Sequence, residues 1–442
     1  MESRRNFLKK TSLATAATLL AGHRAFAEGE KKIRFAMLGC GGRSHALIKA
    51  AYQSGVAEIS HLCDVDKRRL KKLSEYTKQF TDQLPKTEED FRNLLTDPSV
   101  DAVFIATPEH WHAPMAIMAM RAGKHVYIEK PCSHNPHETE VLIATQKETG
   151  MMCQMGNQQR SSVTSALAIK EIKAGIIGDP YAAKAWYANT RKPIGIGKEV
   201  AVPEYLNWEL WQGPAPRQAY RDNVHPYNWH WFRDWGTGEI HNNGTHEIDV
   251  CRWALGVDYP TQVTSNGGRL SHSGDDWQWF DTQTASYQFE GGKMITWEGH
   301  SCNGFSVNGG RGAMIFGTKG SILLDREKYV LFDLKGKEIK RELESNKGTS
   351  NNTADTTGFD GLTVSHIANL CEAIRNGQQL TAPIDDAGIS TQLCHLGNIA
   401  LDLQQNLKID PKNGRILNNK RAKKLWKRKY EKQWDVVNNK SI

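Results

Sequence analysis

The chain has 442 residues, a formal net charge of +8, and 39% hydrophobic and 24% charged residues, values ordinary for a soluble globular protein with room for two or three domains. After the first thirty residues no apolar run is long enough to span a bilayer. No nucleic-acid motif accompanies the positive charge, and the eight cysteines, none of them paired as CxxC, form neither a disulfide framework nor a zinc site.

The first segment carries Arg4-Arg5, then Asn6, Phe7, Leu8 and Lys9, an apolar stretch from Thr11 to Ala21, and "AFA" at 25–27. This resembles a twin-arginine export signal, with cleavage expected after Ala27; the alternative is a short disordered leader. Export by that route carries folded proteins, so the expected destination is the periplasm, with any cofactor captured beforehand. The expected domains are 1–27 (signal), 32–157, 158–415, and a basic C-terminal tail over 416–442.

Lys32 to Leu38 alternates and is rich in Ile, Phe and Met, a buried strand that runs into Gly39-Cys40-Gly41-Gly42-Arg43-Ser44 and then a helical "HALIKAAYQ". Glycines 39, 41 and 42 allow a tight turn and backbone approach to a pyrophosphate at the helix N-terminus, with Arg43 beside it and Ser44 in the place of a third glycine. A second strand, "AEISHLCDVD", ends at Asp64, the acid expected to bind adenosine ribose hydroxyls and to favour NAD over NADP. Asp66 suits a cap on the next helix. Further βα units follow: "DAVFIATP" with a helix from about Ala113 to Gly123, "HVYIEKP" with a helix near 136–149, and "MMCQMGN" to Asn157. The fold class is α/β, an N-terminal doubly wound Rossmann sheet.

The glycine turn, "TPEHWH" at 107–112, "EKP" at 129–131 and "GNQQR" at 156–160 resemble the glucose–fructose oxidoreductase / inositol dehydrogenase (Gfo/Idh/MocA) family. The resemblance implies a second, α+β domain with an open, mostly antiparallel sheet that supports a homo-oligomer, dimer or tetramer. It places Lys130 at the reaction centre beside the nicotinamide. Thr107, Pro108, His110, Trp111, His112, Glu129 and Asn157 then line the cofactor cleft, and Arg160 lies with the substrate. Structural alternatives stay open: His112 as a helix cap, Asn157 as a turn residue, Glu129 as a partner of Lys130, Lys130 as a surface lysine.

From about Ala182 strand-like runs separated by glycines predict the antiparallel sheet: "AAKAWYAN", "TQTASYQFEG", "KMITWEGHS", "GAMIFGTKGSILLD" and "YVLFDL". Helices are expected at 247–255 and 362–377. The stretch 343–360 is polar enough to be a mobile loop. In "HPYNWHWFRDWGTGEIHNNGTHEIDVCRW" (225–253) aromatics alternate with polar groups, as a carbohydrate ligand requires: ring faces cover C–H surfaces and polar tips meet hydroxyls. Tyr227 and Trp229 are candidate substrate contacts, although Trp229 and Trp231 also suit a core. The family's Asp-x-Gly-x-His pattern falls on Asn242 to His246, which makes His246 the general acid/base by resemblance, with Asp249 one turn on to orient it. The alternative is a capping pair. Asn242 replaces the family's carboxylate and cannot take a proton at neutral pH, and Glu239 and His241 are weaker substitutes. From Lys420 to Lys429 seven of ten residues are basic, either a solvated face or a contact for an anionic surface.

Three functional readings remain. The first is an exported NAD-dependent sugar or polyol oxidoreductase with tightly bound, internally recycled cofactor. The second is a redox-neutral NAD-dependent glycoside hydrolase, resembling exported α-N-acetylgalactosaminidases of the same superfamily. The third is a non-catalytic sugar or nucleotide sensor on this scaffold. No metal is expected.

Overall fold

The computed structural model describes residues 31–307, 309–345 and 360–439. The proposed signal over 1–27 lies outside them, as does most of the polar stretch 343–360. The first domain alternates strand and helix: β1 (Ile33–Leu38), α1 (Gly42–Ser54), β2 (Ala57–Cys63), α2 (Lys67–Thr77), β3 (Lys86–Glu88), β4 (Ala102–Ile105), α3 (His112–Arg121), β5 (His125–Ile128), α4 (Pro136–Thr149) and β6 (Cys153–Met155). All neighbouring strands pair in parallel, in the order β3-β2-β1-β4-β5-β6. That order reverses between β1 and β4, so a crevice opens at the strands' C-terminal ends. The strands are nearly continuous apolar runs because helices cover both sheet faces: Val103, Ile105 and Ile128 pack with Ile117 of α3, and Phe35, Phe104 and Tyr127 with Leu47 of α1.

After α5 (Val163–Lys173), the second domain adds β7 (Pro180–Ala188), a π-helical turn Ile240–Gly244 continuous with α6 (Thr245–Leu255), and then β8 (Gln262–Gly268), β9 (Thr282–Gln288), β10 (Met294–His300), β11 (Arg311–Gly317), β12 (Gly320–Leu324), β13 (Lys328–Phe332) and β14 (Glu338–Leu343). Helices α7 (Gly361–Asn376) and α8 (Ile384–Leu403) and the two-residue β15 (Leu407–Lys408) follow. The nine strands run β14-β13-β12-β11-β7-β10-β9-β8-β15, antiparallel except where β7 meets β10. One face packs on α6 and α8 through Trp297, Ile315, Tyr287, Ile248 and Leu393. The other face is half-exposed, so buried and half-exposed positions alternate along a strand, as in Met294–His300.

Two boundaries differ from the linear division. Helix α7 lies within 158–415 yet packs on α1, burying Ile367, Leu370 and Cys371 in the first domain's core. The C-terminal tail is anchored as well as basic: Trp434, Val436 and Val437 are buried with Phe91, Trp111 and Met115. Its apolar residues find a groove that the run of cations does not announce. The segment 189–235 arches back over the first domain. Lys67 donates its N–H to the Tyr205 carbonyl, Asn207 to that of Val65 (both 2.9 Å), and His225 Nε2 lies 2.9 Å from Asp66. Among the described residues no helix is long and apolar enough to cross a membrane, no cluster of ligands could hold a metal, and all eight cysteines are free thiols.

Candidate active site

A cleft of about 930 Å³ runs along the C-terminal ends of β1, β2, β4 and β5 under the arching segment. At one end Gly39 has φ +88°, and a Cβ there would sit 2.7 Å from the Ala106 carbonyl oxygen, so only glycine brings β1 this close to the strand-end loop of β4. Gly41 precedes helix α1 as its N-cap and offers no side-chain cap, which leaves the first N–H groups of the helix for an anion. A side chain at Gly42 would meet nothing within 4 Å. Asp64 is fixed at the rim by the N–H groups of Cys40 (2.6 Å) and Asp66 (2.8 Å), and each oxygen keeps a lone pair for a ribose hydroxyl. Thr107 Oγ1 is buried without a partner among the described residues. These residues fit a dinucleotide with its pyrophosphate on α1. Asp66 bonds the N–H of Arg68 and Arg69 and caps α2.

At the other end Lys130 Nζ donates to the Asn242 carbonyl at 2.5 Å and lies 3.2 Å from Asn242 Oδ1. π-Turns are frequent at functional sites, and this one presents Asn242 to the lysine. The Asn242 amide nitrogen is 3.3 Å from Glu239, a carboxylate that also holds Asn243 (2.5 Å) and Arg191 (2.5 Å). His112 stands between two strand-end loops, its Nδ1 2.6 Å from the Pro131 carbonyl and its Nε2 2.9 Å from that of Thr107. Glu129 pairs with Arg43 at 2.7 Å. The burial that would raise its pKa is outweighed by Arg43 and Lys130, which hold it below the usual carboxylate value. A Cβ at residue 156 would press to 3.0 Å from the Glu129 carboxyl, which Gly156 avoids.

Protonation is set by burial. It lowers Lys130 from the usual lysine value against the pull of Glu129 and Glu109. It pushes Glu109, which accepts a hydrogen bond from Thr237 Oγ1, up to about 7. Burial, reinforced by Arg326 and Lys130, holds His246 well below its ordinary value, so the imidazole is neutral at pH 7 and its Nδ1 has no partner among the described residues. A neutral imidazole and a largely desolvated amine in one cleft can move a proton at a substrate hydroxyl.

Of the residues singled out from sequence, Gly39, Gly41, Gly42, Arg43, Asp64, Thr107, Pro108, Trp111, His112, Glu129, Lys130, Tyr227, Trp229, Asn242 and His246 all line this cleft. Six readings are corrected. Arg160 is not a substrate ligand: it is buried between Asp249 (2.7 Å) and Asp386 (3.0 Å). Asp249 consequently does not orient His246; Arg160 and Ser390 occupy its oxygens. His110 faces away from the cleft, bonded to the Trp211 carbonyl at 2.9 Å, because successive side chains on its 3₁₀ turn are about 120° apart and cannot all face one side. Ser44 turns back to the Gly39 carbonyl at 2.5 Å and braces the turn from behind. Asn157 is buried outside the lining, at the turn after β6. His241 packs against His395, ring centroids 4.3 Å apart and planes tilted by 49°, also away from the lining. Glu109, Arg191, His230, Arg311 and Arg326 line the cleft without having been singled out. Glu109 sits inside "TPEHWH", where its place beside a strand-end proline was the available signal.

Comparison with known proteins identifies the family. A profile described as "Oxidoreductase family, NAD-binding Rossmann fold" matches residues 33–157, and one described as "GFO/IDH/MocA C-terminal domain" matches 166–323. The chain is 26% identical over 318 residues to glycosyl hydrolase family 109 protein 2 of Shewanella sp. (strain ANA-3), across 66% of this chain and 65% of that protein; it thus spans a little under two thirds of that relative's length. It is 26% identical over 317 residues to scyllo-inositol 2-dehydrogenase (NAD(+)) of Bacillus subtilis (strain 168), across 70% of this chain and 78% of that one. Among solved structures, the aldose-aldose oxidoreductase of Caulobacter crescentus complexed with glycerol superposes with a TM-score of 0.63 at 19% identity, covering 86% of this chain and all (100%) of that one. With both domains matched in order and the glycine turn, Lys130 and His246 gathered in one cleft, the chain belongs to the Gfo/Idh/MocA family, its first domain an NAD-binding Rossmann fold.

Proposed function

We propose that this protein is an exported, NAD-dependent oxidoreductase that moves a hydride to and from a carbinol carbon of a sugar, polyol or glycoside, keeping its cofactor bound and restoring it within each cycle. The observation that carries the reading is the convergence of Lys130, Asn242 and His246 on one cleft with the glycine turn. Bound NAD supplies the hydride acceptor. Lys130 Nζ, redirected from the Asn242 carbonyl, donates to the substrate oxygen and polarises it. His246, held neutral by burial, accepts the hydroxyl proton. Glu109 is the nearby group able to exchange a proton with Lys130 near neutral pH. Tyr227 and Trp229 offer ring surface to the sugar.

Export is supported by the twin-arginine pattern over residues 1–27 and by unpaired cysteines, seven of the eight buried as thiols. Outside the cytoplasm soluble cofactor is not exchanged, which favours retention and internal recycling in the periplasm. A second reading, redox-neutral glycoside hydrolysis, draws on the glycosyl hydrolase family 109 names of several relatives and on a Glu109 carboxyl half-protonated near neutrality, suited to protonating a leaving group. A non-catalytic sensor is disfavoured by an intact Lys130 and His246.

Protein purified without added cofactor, then denatured, is expected to release NAD(H) into the supernatant. Lys130→Ala and His246→Ala should each lower turnover by about 10²–10⁴-fold while the NAD content stays the same. Full activity in either variant overturns the assignment. Release of aryl groups from aryl glycosides without net NADH selects the hydrolase.

A further inference from the structure

The tight turn between β12 and β13 brings Asp325, Arg326 and Glu327 into the cleft lining, and Arg326 is the charge that acts most strongly on His246. The other arginines at this end and Lys328 come with carboxylate partners, Arg43 with Glu129 (2.7 Å), Arg191 with Glu239 (2.5 Å), Arg311 with Glu247 (2.7 Å) and Lys328 with Asp325 (3.3 Å), while Lys130 is hydrogen-bonded to Asn242. Arg326 has no such partner. Among the described residues its Nε and Nη2 are sealed from solvent without a hydrogen-bond partner, and no carboxylate lies within ion-pair distance. Glu247 and Asp360, the acids that act on it, are engaged by Arg311 and Arg43. Burial and the charge of Arg311 pull its guanidinium down to about 9.

An unpaired buried cation is costly unless a counter-ion reaches it. The pocket beneath, about 10 Å³ and lined by Gln159, Glu247 and Arg311, has room for at most one water. A water can accept hydrogen bonds but brings no charge. We propose that Arg326 is the docking point for a carboxylate on the substrate, so that the cleft takes an acidic sugar, a uronic or aldonic acid, in preference to a neutral one. The proposal rests on the sugar-oxidoreductase reading of this cleft. A carboxylate matches it better than a phosphate because Arg326, which lines the cleft, offers a single positive charge that no carboxylate pairs.

The test titrates the NAD-loaded wild type, Arg326→Gln and Arg326→Lys with D-glucuronate, D-glucose and D-glucose 6-phosphate, following calorimetric heat and nicotinamide absorbance. Wild type is expected to bind glucuronate about tenfold or more tightly than glucose, the discrimination of one charge-assisted hydrogen-bonded pair. Arg326→Gln should collapse that ratio toward one, and Arg326→Lys should keep part of it. The proposal is overturned if wild type binds glucose as well as glucuronate, if glucose 6-phosphate binds best, or if Arg326→Gln weakens both sugars by the same factor. Arg326-dependent glucuronate binding without an absorbance change leaves the carboxylate site standing and removes the hydride-transfer reading. An absorbance change with glucose as large as with glucuronate does the reverse.

Discussion

Asn242 stands between Glu239 and Lys130, its amide nitrogen toward the first and its oxygen toward the second. A carboxylate at that position would face Glu239 as a like charge; an amide meets a donor on one side and an acceptor on the other. The substitution therefore suits its surroundings, and the proton-accepting work falls to neighbouring groups. Glu109, titrating at about 7 under burial, must be ionised to receive a proton from Lys130. Activity limited by this transfer rises with pH through an inflection near 7. Glu109→Gln should flatten that limb of the kcat/KM profile and lower kcat by roughly 10–10²-fold; a profile identical to wild type would show that Glu109 takes no part.

At the scale of elements, strand-end loops do the positioning. His112 ties the loop after β4 to the one after β5, and Lys130 ties the loop after β5 to the π-turn. The β1–α1 turn depends on Gly39. With φ +88° and the Ala106 carbonyl 2.7 Å from any Cβ, Gly39→Ala forces the turn away from β4. The expected cost is about 1–3 kcal/mol of stability, with loss of bound NAD beyond what an equal destabilisation elsewhere produces. Tm together with NAD content per chain measures both.

For the whole molecule, the two domains meet over a set of buried histidines. His241 and His395 pack ring against ring at a tilt, and Arg428 of the C-terminal tail reaches His134 at 3.0 Å. Burial depresses all of them, His110 and His241 to about 3. In the unfolded chain these imidazoles protonate near 6.5, whereas the fold keeps them neutral to far lower pH. Their stability contribution is intact above about pH 6.5 and is lost as the pH falls toward 3, by up to about 1.4 kcal/mol per histidine per pH unit. Tm is expected to drop between pH 7 and pH 5; a flat Tm over that range would contradict the burial of this cluster. The half-exposed face of the nine-stranded sheet, with Lys184, Met294 and Glu298 on it, is the surface on which we expect copies of the chain to assemble, and a solution mass of two or four chains by light scattering checks it.

The sequence by itself determined what depends on local order. The Rossmann units were legible because each pairs an apolar run with a glycine or proline punctuation and a helix of matching length; Asp64 followed from that order, and the resemblance to the Gfo/Idh/MocA family carried Thr107, Glu129 and Lys130. Tertiary structure alone decided the rest, because it concerns partners far apart in the chain. Arg160 and His110 carry the right chemistry, but Asp249 and Asp386 claim one and the Trp211 carbonyl the other. Glu109 becomes an acid of unusual pKa only when the second domain buries it against Thr237. Arg326 lies on an ordinary hairpin turn, and its want of a counter-ion appears only when the sheet is folded against the cleft. Spacing along a chain encodes which way a side chain points within its own element; whether a charge is paired, buried or left facing a ligand is settled by elements hundreds of residues away.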